Sequence, residues 1–209
     1  MTADLREKII EHALKLFEAH GFHGVSVNQI VESVGTSKGG FYHHFKSKDE
    51  LLFVIHDTFI TYVIENATLA EERFESASKK LQAIILNFVK VFDLYKAHIS
   101  VFYQEELYLK PEYDVLIKEK RDHFKRIIYN TIRDGKQSGE MREDLSVEIT
   151  TMAVLGMVNW TYKWYKKDGS KSIDEIAYIF TDLILRSILK ENLLAEEKYK
   201  EILLEDIII

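Results

Sequence analysis

The feature that most constrains this chain is a 26-residue stretch, SVNQIVESVGTSKGGFYHHFKSKDEL, which runs from Ser26 to Leu51. Its first part predicts a short helix, because Ser26 and Gln29 have the spacing of a capping box and apolar residues follow at helical intervals. Gly35 ends this helix, since glycine tolerates the left-handed backbone of a C-cap. A second short helix follows after a tight turn. This order predicts a helix-turn-helix, whose second helix enters the major groove of DNA.

The second helix, Lys38 to Phe45, is too short to be stable alone, so Phe41 and Phe45 must anchor it to its neighbours. This anchoring leaves the opposite edge of the helix free to meet DNA. Hydroxyls and an ammonium at the start of the helix suit base edges, and the donors further along suit phosphate oxygens. The residues predicted to contact DNA are Ser26, Thr36, Ser37, Lys38, Gly39, Tyr42, His43 and Lys48.

Residues Leu5 to Leu51, including GFHGVSVNQIVESVGTSKGGFYHHFKSKDEL, resemble the DNA-binding domain of TetR-family transcriptional repressors. Gly40 departs from the family pattern, which often has a small hydroxyl or a larger side chain there, so no base contact is implied at that position. At the matching positions the resemblance implies DNA contacts by Ser26, Ser37, Lys38, Tyr42, His43 and Lys48, with Phe41 and Phe45 in the core.

The rest of the chain reads as long helices without strand-like alternation, so we predict an all-α protein. An N-terminal three-helix helix-turn-helix domain is expected over residues 1–47, and a larger helical ligand-binding and dimerisation domain over residues 48–209. The chain has no cysteine, which excludes disulfides and fits a reducing compartment. It shows no secretory signal and no apolar run of about 20 residues, so we expect a cytoplasmic protein without a membrane partner.

The charge distribution decides what kind of DNA contact is expected. The formal net charge is -6, and the first 50 residues carry six Lys or Arg against seven Asp or Glu. Affinity for DNA must therefore come from placed contacts and from dimerisation rather than from bulk positive charge. The one basic segment is 110–142, with nine basic and six acidic residues.

Residues 149–162, ITTMAVLGMVNWTY, carry no charge and are too few to span a bilayer. They predict a helix buried on two sides, one against its own subunit and one against a partner, with Gly156 allowing close approach. A last amphipathic helix, opened by a capping box of Ser172 and Glu175, completes the pattern. Together these helices predict an intersubunit four-helix bundle in a homodimer. The tail 193–209 is predicted to be a packed terminal helix, and no role is assigned to it.

The second half, in VLGMVNWTYKWYKKDGSKSIDEIA, YQEEL and KEKRDHF, resembles the ligand domain of TetR-type repressors that respond to acyl-coenzyme A thioesters of fatty-acid, phenylacetate or sterol-ring breakdown. Aromatic side chains could line a tunnel for an acyl chain, although core packing explains each of them about as well. Basic side chains on one helix could bind phosphates, although solvated charges explain them nearly as well. The predicted ligand-binding residues are Phe88, Phe92, Tyr103, Arg121, Phe124, Lys125, Met157, Trp160 and Trp164, with Phe102, Arg126, Tyr162 and Tyr165 as further candidates.

Two other functions compete with this interpretation. A repressor of drug-efflux genes would bind flat cations with the same aromatics and a buried carboxylate, for which Glu105 or Glu106 could serve. A helical scaffold that binds protein partners would need no DNA contact. An enzyme is not expected, because there is no phosphate-binding glycine loop, cysteine nucleophile or serine elbow. No cofactor or metal is expected, since adjacent His43 and His44 point about 100° apart on a helix.

The sequence thus predicts a dimeric repressor whose partners are double-stranded operator DNA and a small-molecule effector. Its two recognition helices would enter successive major grooves about 34 to 36 Å apart on a palindromic operator. A bound effector would push the helix that begins at Lys48 and runs to about Glu75, and so change this spacing.

Overall fold

The computed structural model describes residues 5–194 and residue 196. Every regular element in this part of the chain is helical, apart from one isolated bridge between Met141 and Leu189. The predicted all-α class is therefore confirmed. Most of the tail 193–209, whose packing was predicted from helical spacing, lies outside the described residues.

The first four helices contain the predicted helix-turn-helix and the helix after it. They are α1 (Leu5–Gly24), α2 (Val27–Val34), α3 (Lys38–His44) and α4 (Lys48–Arg73). Gly21, predicted to end the first helix, has a φ of 71° within α1, and the last residues form one further turn after this break. The buried side of α1 includes Ile9, Ala13 and Phe17, so the helix covers an apolar core as its pattern predicted.

The other helices follow the predicted order with shifts of a few residues at their ends. They are α5 (Ala77–Leu94), α6 (Lys96–Glu105), α7 (Pro111–Gln137), α8 (Val147–Asn159), α9 (Thr161–Trp164), α10 (Ile173–Ile188) and α11 (Glu191–Leu194), with a 3₁₀ turn (Glu106–Tyr108) before α7. Pro111 begins α7, where its missing N–H costs no hydrogen bond. Leu116, predicted to face inward, is 44% exposed on this helix. That prediction is wrong, because the inward face of the same turn is filled by Ile117.

Contacts divide the described chain into two units. The first unit comprises the residues up to Thr61 together with Tyr95–Lys120, and the second comprises Tyr62–Leu94 together with the residues from Arg121 onward. The division falls inside α4 and inside α7, not at the boundary after residue 47 that the sequence suggested. In the first unit α1 packs against α2, α3 and α6, and in the second unit α5 packs against α8, α9 and α10.

A turn between α7 and α8 ties the second unit together. The Glu140 carboxylate accepts hydrogen bonds from the backbone N–H groups of Ala77 and Ser78 and from the hydroxyls of Ser76 and Ser78, at 2.6 to 3.1 Å. It thereby caps the start of α5, where the first N–H groups of a helix lack partners. The backbone of the same turn also bonds to the end of α10, since Arg142 N–H donates to Ile188 O at 2.9 Å. We call this arrangement the Glu140 clasp.

Candidate nucleic-acid interface and ligand-binding residues

The turn between α2 and α3 is built by caps that lie within a few residues of each other. The Ser26 hydroxyl accepts from the Gln29 N–H at 3.3 Å and the Gln29 side chain accepts from the Ser26 N–H at 2.8 Å, which completes the capping box. Gly35 ends α2 with φ 75° and ψ 36°, a left-handed conformation that favours glycine. The Thr36 N–H donates to Val31 O at 2.9 Å, so the turn is fixed by the backbone as well.

Two phenylalanine rings hold α3 in place, as its short length required. Phe41 is fully buried and Phe45 is 1% exposed, and their ring centroids lie 5.7 Å apart. Ser37 caps the helix by accepting from the Gly40 N–H at 3.1 Å. The opposite edge is open, with Tyr42 53% exposed. Along this edge Ser37, Lys38, Gly39, Tyr42 and His43 are all exposed.

Gly40 lies where α3 passes close to the preceding turn. A Cβ added at Gly40 would lie 2.5 Å from the Thr36 hydroxyl oxygen, closer than real Cβ contacts come. The glycine therefore allows the half-buried Thr36 side chain to rest on the first turn of α3. This packing gives a physical reason for the departure from the family pattern that the sequence showed at this position.

Lys48, a predicted phosphate contact, also has an internal role that the sequence did not indicate. Its ammonium donates to Phe22 O and Val25 O, both at 2.6 Å, and lies 4.1 Å from the centre of the Phe22 ring. Partial burial lowers the pKa of Lys48, an effect opposed by the nearby charges of Asp49 and Glu105. The ammonium thus ties the start of α4 to the turn after α1. An ammonium has three N–H donors, so one remains for a phosphate oxygen.

Some of the aromatic residues predicted to bind ligand form a buried cluster in the second unit. Phe88, Phe92 and Phe124 are 3 to 6% exposed, and the Phe88 ring lies 4.8 Å from Phe124 and 6.0 Å from Phe92. Tyr103 belongs to the first unit, where its ring meets Phe102 edge-on at 5.2 Å. The contacts of these rings with a ligand remain predictions.

Three other predicted ligand residues lie on an exposed apolar surface of α8 and α9. Met157, Trp160 and Trp164 are 37%, 61% and 44% exposed. They do not line an enclosed tunnel within the described chain; the buried side of α8 consists of Thr151, Val154 and Val158. Sequence periodicity could not separate the two faces, because nearly every residue of this helix is apolar.

The predicted phosphate-binding residues on α7 are solvent-facing. Arg121 and Lys125 are exposed, and the Lys125 ammonium lies 3.0 Å from the Asp122 carboxylate. Glu105, one of the two carboxylates considered for a cationic ligand, is 5% exposed in the first unit and faces Gly21. Neither placement tests a ligand contact.

His56 on α4 is a buried polar residue that sequence reasoning missed. Its imidazole is fully buried, packs against the Phe102 ring at 4.8 Å between centroids, and makes no hydrogen bond with the described residues. Burial lowers the pKa of His56 to about 3. The position lies within an apolar stripe, so no local pattern marked it. Within residues 5–194, no group of three or more His, Asp or Glu side chains is placed to hold a metal ion.

No helix in the described part of the chain is long and apolar enough to cross a membrane.

Comparisons with known proteins agree with the helix-turn-helix. The transcriptional repressor KstR2 of Mycolicibacterium smegmatis is 21% identical over 188 residues, which cover 89% of this chain and 91% of that protein. The structure of the TetR-family regulator PfmR from Thermus thermophilus is 29% identical, with a TM-score of 0.78 over 85% of this chain and 97% of that one. The structure of AibR with isovaleryl coenzyme A and operator DNA is 23% identical, with a TM-score of 0.74 over 86% and 97%.

Two family models match separate parts of the chain. The model for bacterial regulatory proteins of the tetR family matches residues 9–55, which contain α2, the turn and α3. The model for the tetracyclin repressor-like C-terminal domain matches residues 75–188, which is more than half of the chain. These proteins are DNA-binding transcriptional regulators rather than enzymes, and this chain belongs to the TetR family.

Proposed function

We propose that this protein is a homodimeric repressor that binds a palindromic operator and is released from it by an acyl-coenzyme A of lipid degradation. The observation that carries the DNA-binding part is the open edge of α3, which presents Lys38, Tyr42 and His43 above two buried phenylalanine anchors. A short helix fixed in this way can enter a major groove without rearranging.

The dimer is supported by an apolar surface that the described chain leaves exposed. Ile149 and Met152 on α8 are 67% and 54% exposed, and Leu183 on α10 is 53% exposed. The space next to the Gly156 Cα is open to 4 Å, so a second helix could approach closely there. We infer that a second copy of this chain covers this surface. Two copies would place two recognition helices on half-sites about 34 to 36 Å apart.

The effector part is supported by the buried phenylalanine cluster and by the similarity to AibR, whose structure holds isovaleryl coenzyme A and operator DNA. An apolar interior with aromatic walls suits an acyl chain. The effector releases operator only if it binds better to the conformation that DNA does not select. A cationic drug has less support, because the buried Glu105 lies in the first unit and the phenylalanine cluster in the second.

DNA binding can be tested by fluorescence anisotropy with the DNA upstream of the gene. The double variant Lys38→Ala/Tyr42→Phe should bind at least tenfold more weakly than wild type, and its salt dependence should be shallower by about one contact for each phosphate lost. The control Lys118→Ala removes an exposed lysine on α7 and should bind as wild type does. Equal, weak binding by all three proteins at physiological salt would favour the protein-interaction scaffold instead.

The dimer can be tested by analytical ultracentrifugation of Gly156→Arg, because a long side chain there has room in the single chain but not beneath a second helix. We expect a monomer that retains its helical circular dichroism. A dimer of unchanged affinity would place the interface elsewhere.

The effector can be tested by thermal shift and operator release with long-chain acyl-coenzyme A against cationic dyes. Stabilisation and release by the thioester alone are expected. Stabilisation by the dyes alone would reverse the choice of ligand class.

A further inference from the structure

A second pocket with a different character lies in the second unit, at the start of α10. It is a cavity of about 340 Å³ that is open to solvent, which falls within the range of small-ligand sites. Apolar side chains, Trp164, Ile176, Ile179 and Phe180, form one part of its wall, and Lys166 and Lys171 stand on the other. An apolar wall opposite two cations suits a ligand that combines a flat ring with negative charge.

The wall of this pocket is held in place without a ligand. The Tyr165 hydroxyl donates to the Asp93 carboxylate at 2.8 Å, and Lys167 lies 3.6 Å from the same carboxylate. The Gly169 N–H donates to Lys166 O at 3.0 Å and closes the turn. The backbone that carries the two lysines is therefore tied at several points, so a ligand would not have to order it.

Trp164 offers an aromatic surface to this pocket. Its indole meets the Phe180 ring edge-on, with centroids 6.2 Å apart, and its side chain is 44% exposed. Phe180 thus covers only an edge of the indole, which leaves ring surface for a ligand. A purine base stacks on such a surface, and stacking of this kind contributes without any specific hydrogen bond.

The charge around the pocket is strongly positive. Residues 163–171, KWYKKDGSK, hold four lysines and one aspartate, and we call them the lysine segment. Within the described residues, Lys166 makes no ion pair, whereas Lys167 and Lys171 lie 3.6 and 3.5 Å from Asp93 and Glu175. An exposed pair at this distance contributes little, so a multiply charged phosphate can compete for the ammonium of Lys171. The lysine segment can therefore attract an anion that carries several phosphates.

The α7 residues that the sequence suggested for phosphates compare poorly with this pocket. Lys125 is paired with Asp122, and both Lys125 and Arg121 stand on the exposed side of a helix. The lysine segment alone combines a cavity, an exposed indole and an ammonium without an ion pair among the described residues. This combination is what a nucleotide with phosphates requires.

We propose that the pocket beneath the lysine segment binds the nucleotide end of coenzyme A, with the adenine against Trp164 and the phosphates at Lys166 and Lys171. This inference rests on the proposed function, because it takes a coenzyme A thioester as the effector. It assigns the phosphate contacts to α9, α10 and the turn between them, instead of to α7.

The test is isothermal titration of free coenzyme A into the full-length protein. Lys166→Ala/Lys171→Ala should bind at least tenfold more weakly than wild type, and the matched pair Arg121→Ala/Lys125→Ala should bind within twofold. Adenosine 3′,5′-bisphosphate should compete with coenzyme A, whereas inorganic phosphate at the same concentration should not. Circular dichroism checks that each variant is folded.

A spectroscopic test reports on the base itself. In a Trp160→Phe background, Trp164 is the one tryptophan of the chain, and its fluorescence should be quenched by coenzyme A and by the bisphosphate. Loss of affinity in the Arg121/Lys125 pair with none in the Lys166/Lys171 pair would overturn the assignment, as would the absence of any binding by wild type.

The same proteins separate this inference from the proposed function. If acyl-coenzyme A releases wild type and the Lys166/Lys171 variant from operator at the same concentration, the pocket assignment fails and the proposed function stands. If acyl-coenzyme A never releases wild type, the proposed function fails, and titration with coenzyme A still decides what this pocket binds.

Discussion

The reading segment, residues 26–51, and the second unit differ in how far along the chain each residue finds its partner. In the reading segment the caps join Ser26 to Gln29 and Ser37 to Gly40, three residues apart. In the second unit the Glu140 clasp joins residues 62 to 64 positions apart, and Tyr165 reaches Asp93 across 72. Local partners leave a pattern in the sequence, whereas distant partners do not. This difference explains which parts of the molecule could be predicted.

The largest effect is expected at the anchor of the reading segment. Phe41→Ala should lower the free energy of unfolding by about 3 to 5 kcal/mol, because it empties a fully buried ring site. Operator binding should be lost, and hydrogen exchange should rise in α2 and α3 while it stays within twofold in α5 and α10. The control Tyr42→Phe removes only an exposed hydroxyl and should leave unfolding unchanged. Equal losses of protection in both units would contradict the contrast drawn between them.

The Glu140 clasp is the corresponding point in the second unit. Glu140→Gln should cost about 2 to 3 kcal/mol, because an amide cannot accept as strongly from the start of α5. Chemical denaturation measures this, with the exposed Glu143→Gln as a control that should change stability by less than about 0.5 kcal/mol. Operator affinity of the folded variant should be unchanged. A clasp variant as stable as the control would show that the hydrogen bonds at α5 are dispensable.

The clasp also predicts a dependence on acid. Burial of the Glu140 carboxyl opposes its ionisation, but hydrogen bonds from Ser78, Ser76 and the Ala77 backbone outweigh burial and lower its pKa. A carboxyl whose pKa is lower in the folded state stabilises the protein above its unfolded pKa, and this contribution disappears as the pH falls through the folded pKa. Glu140→Gln should therefore lose less stability than wild type below about pH 4.5.

His56 tests a residue that no local pattern marked. Since its folded pKa is about 3 and its unfolded value about 6.5, the unfolded state binds the extra proton as the pH falls below 6.5. Stability should fall by about 2 kcal/mol between pH 7 and pH 5 from this group alone. His56→Leu should remove this loss, leaving a smaller slope to which His98 contributes, because burial also lowers the pKa of His98. The exposed His20→Gln should keep the full slope, and a slope unchanged in His56→Leu would show that the imidazole is protonated when folded.

The smallest effect is expected at Gly40. Gly40→Ala should cost about 1 kcal/mol, because the new methyl group meets the Thr36 hydroxyl although alanine favours a helix. The double variant Thr36→Ala/Gly40→Ala should recover this stability, since the hydroxyl is gone. Thermal unfolding of the single and double variants measures the coupling. Equal stability of both variants would show that the turn adapts to the methyl group.

The sequence predicted the reading segment well for physical reasons. A capping box, a left-handed glycine and two phenylalanines four residues apart are each defined within one or two turns of helix, so Ser26, Gly35, Phe41 and Phe45 could be assigned without knowing the fold. The positions of the longer helices followed from apolar spacing in the same way. The ends of α8 shifted because an apolar sequence gives little periodic signal.

The roles of single side chains in the rest of the chain could not be predicted. Lys48 bonds to two carbonyls more than 20 residues earlier, which hid its structural role behind its expected phosphate contact. The burial of His56 depends on Phe102, a residue of another helix. The faces of α8 that bury Val154 and expose Trp160 are equally apolar in sequence. In each case the information lies in the three-dimensional contact and not in the local spacing.

The composition of the first unit has a consequence for how the protein is made. A ribosome delivers α1 to α3 early, but that unit also needs Tyr95–Lys120, which follow after α5 has been synthesised. The nascent chain must therefore expose the apolar side of α1 until α6 arrives to cover it. A slow stretch of translation between the two pieces would lengthen that exposure, so codon choice near residues 62–94 can influence the yield of folded regulator.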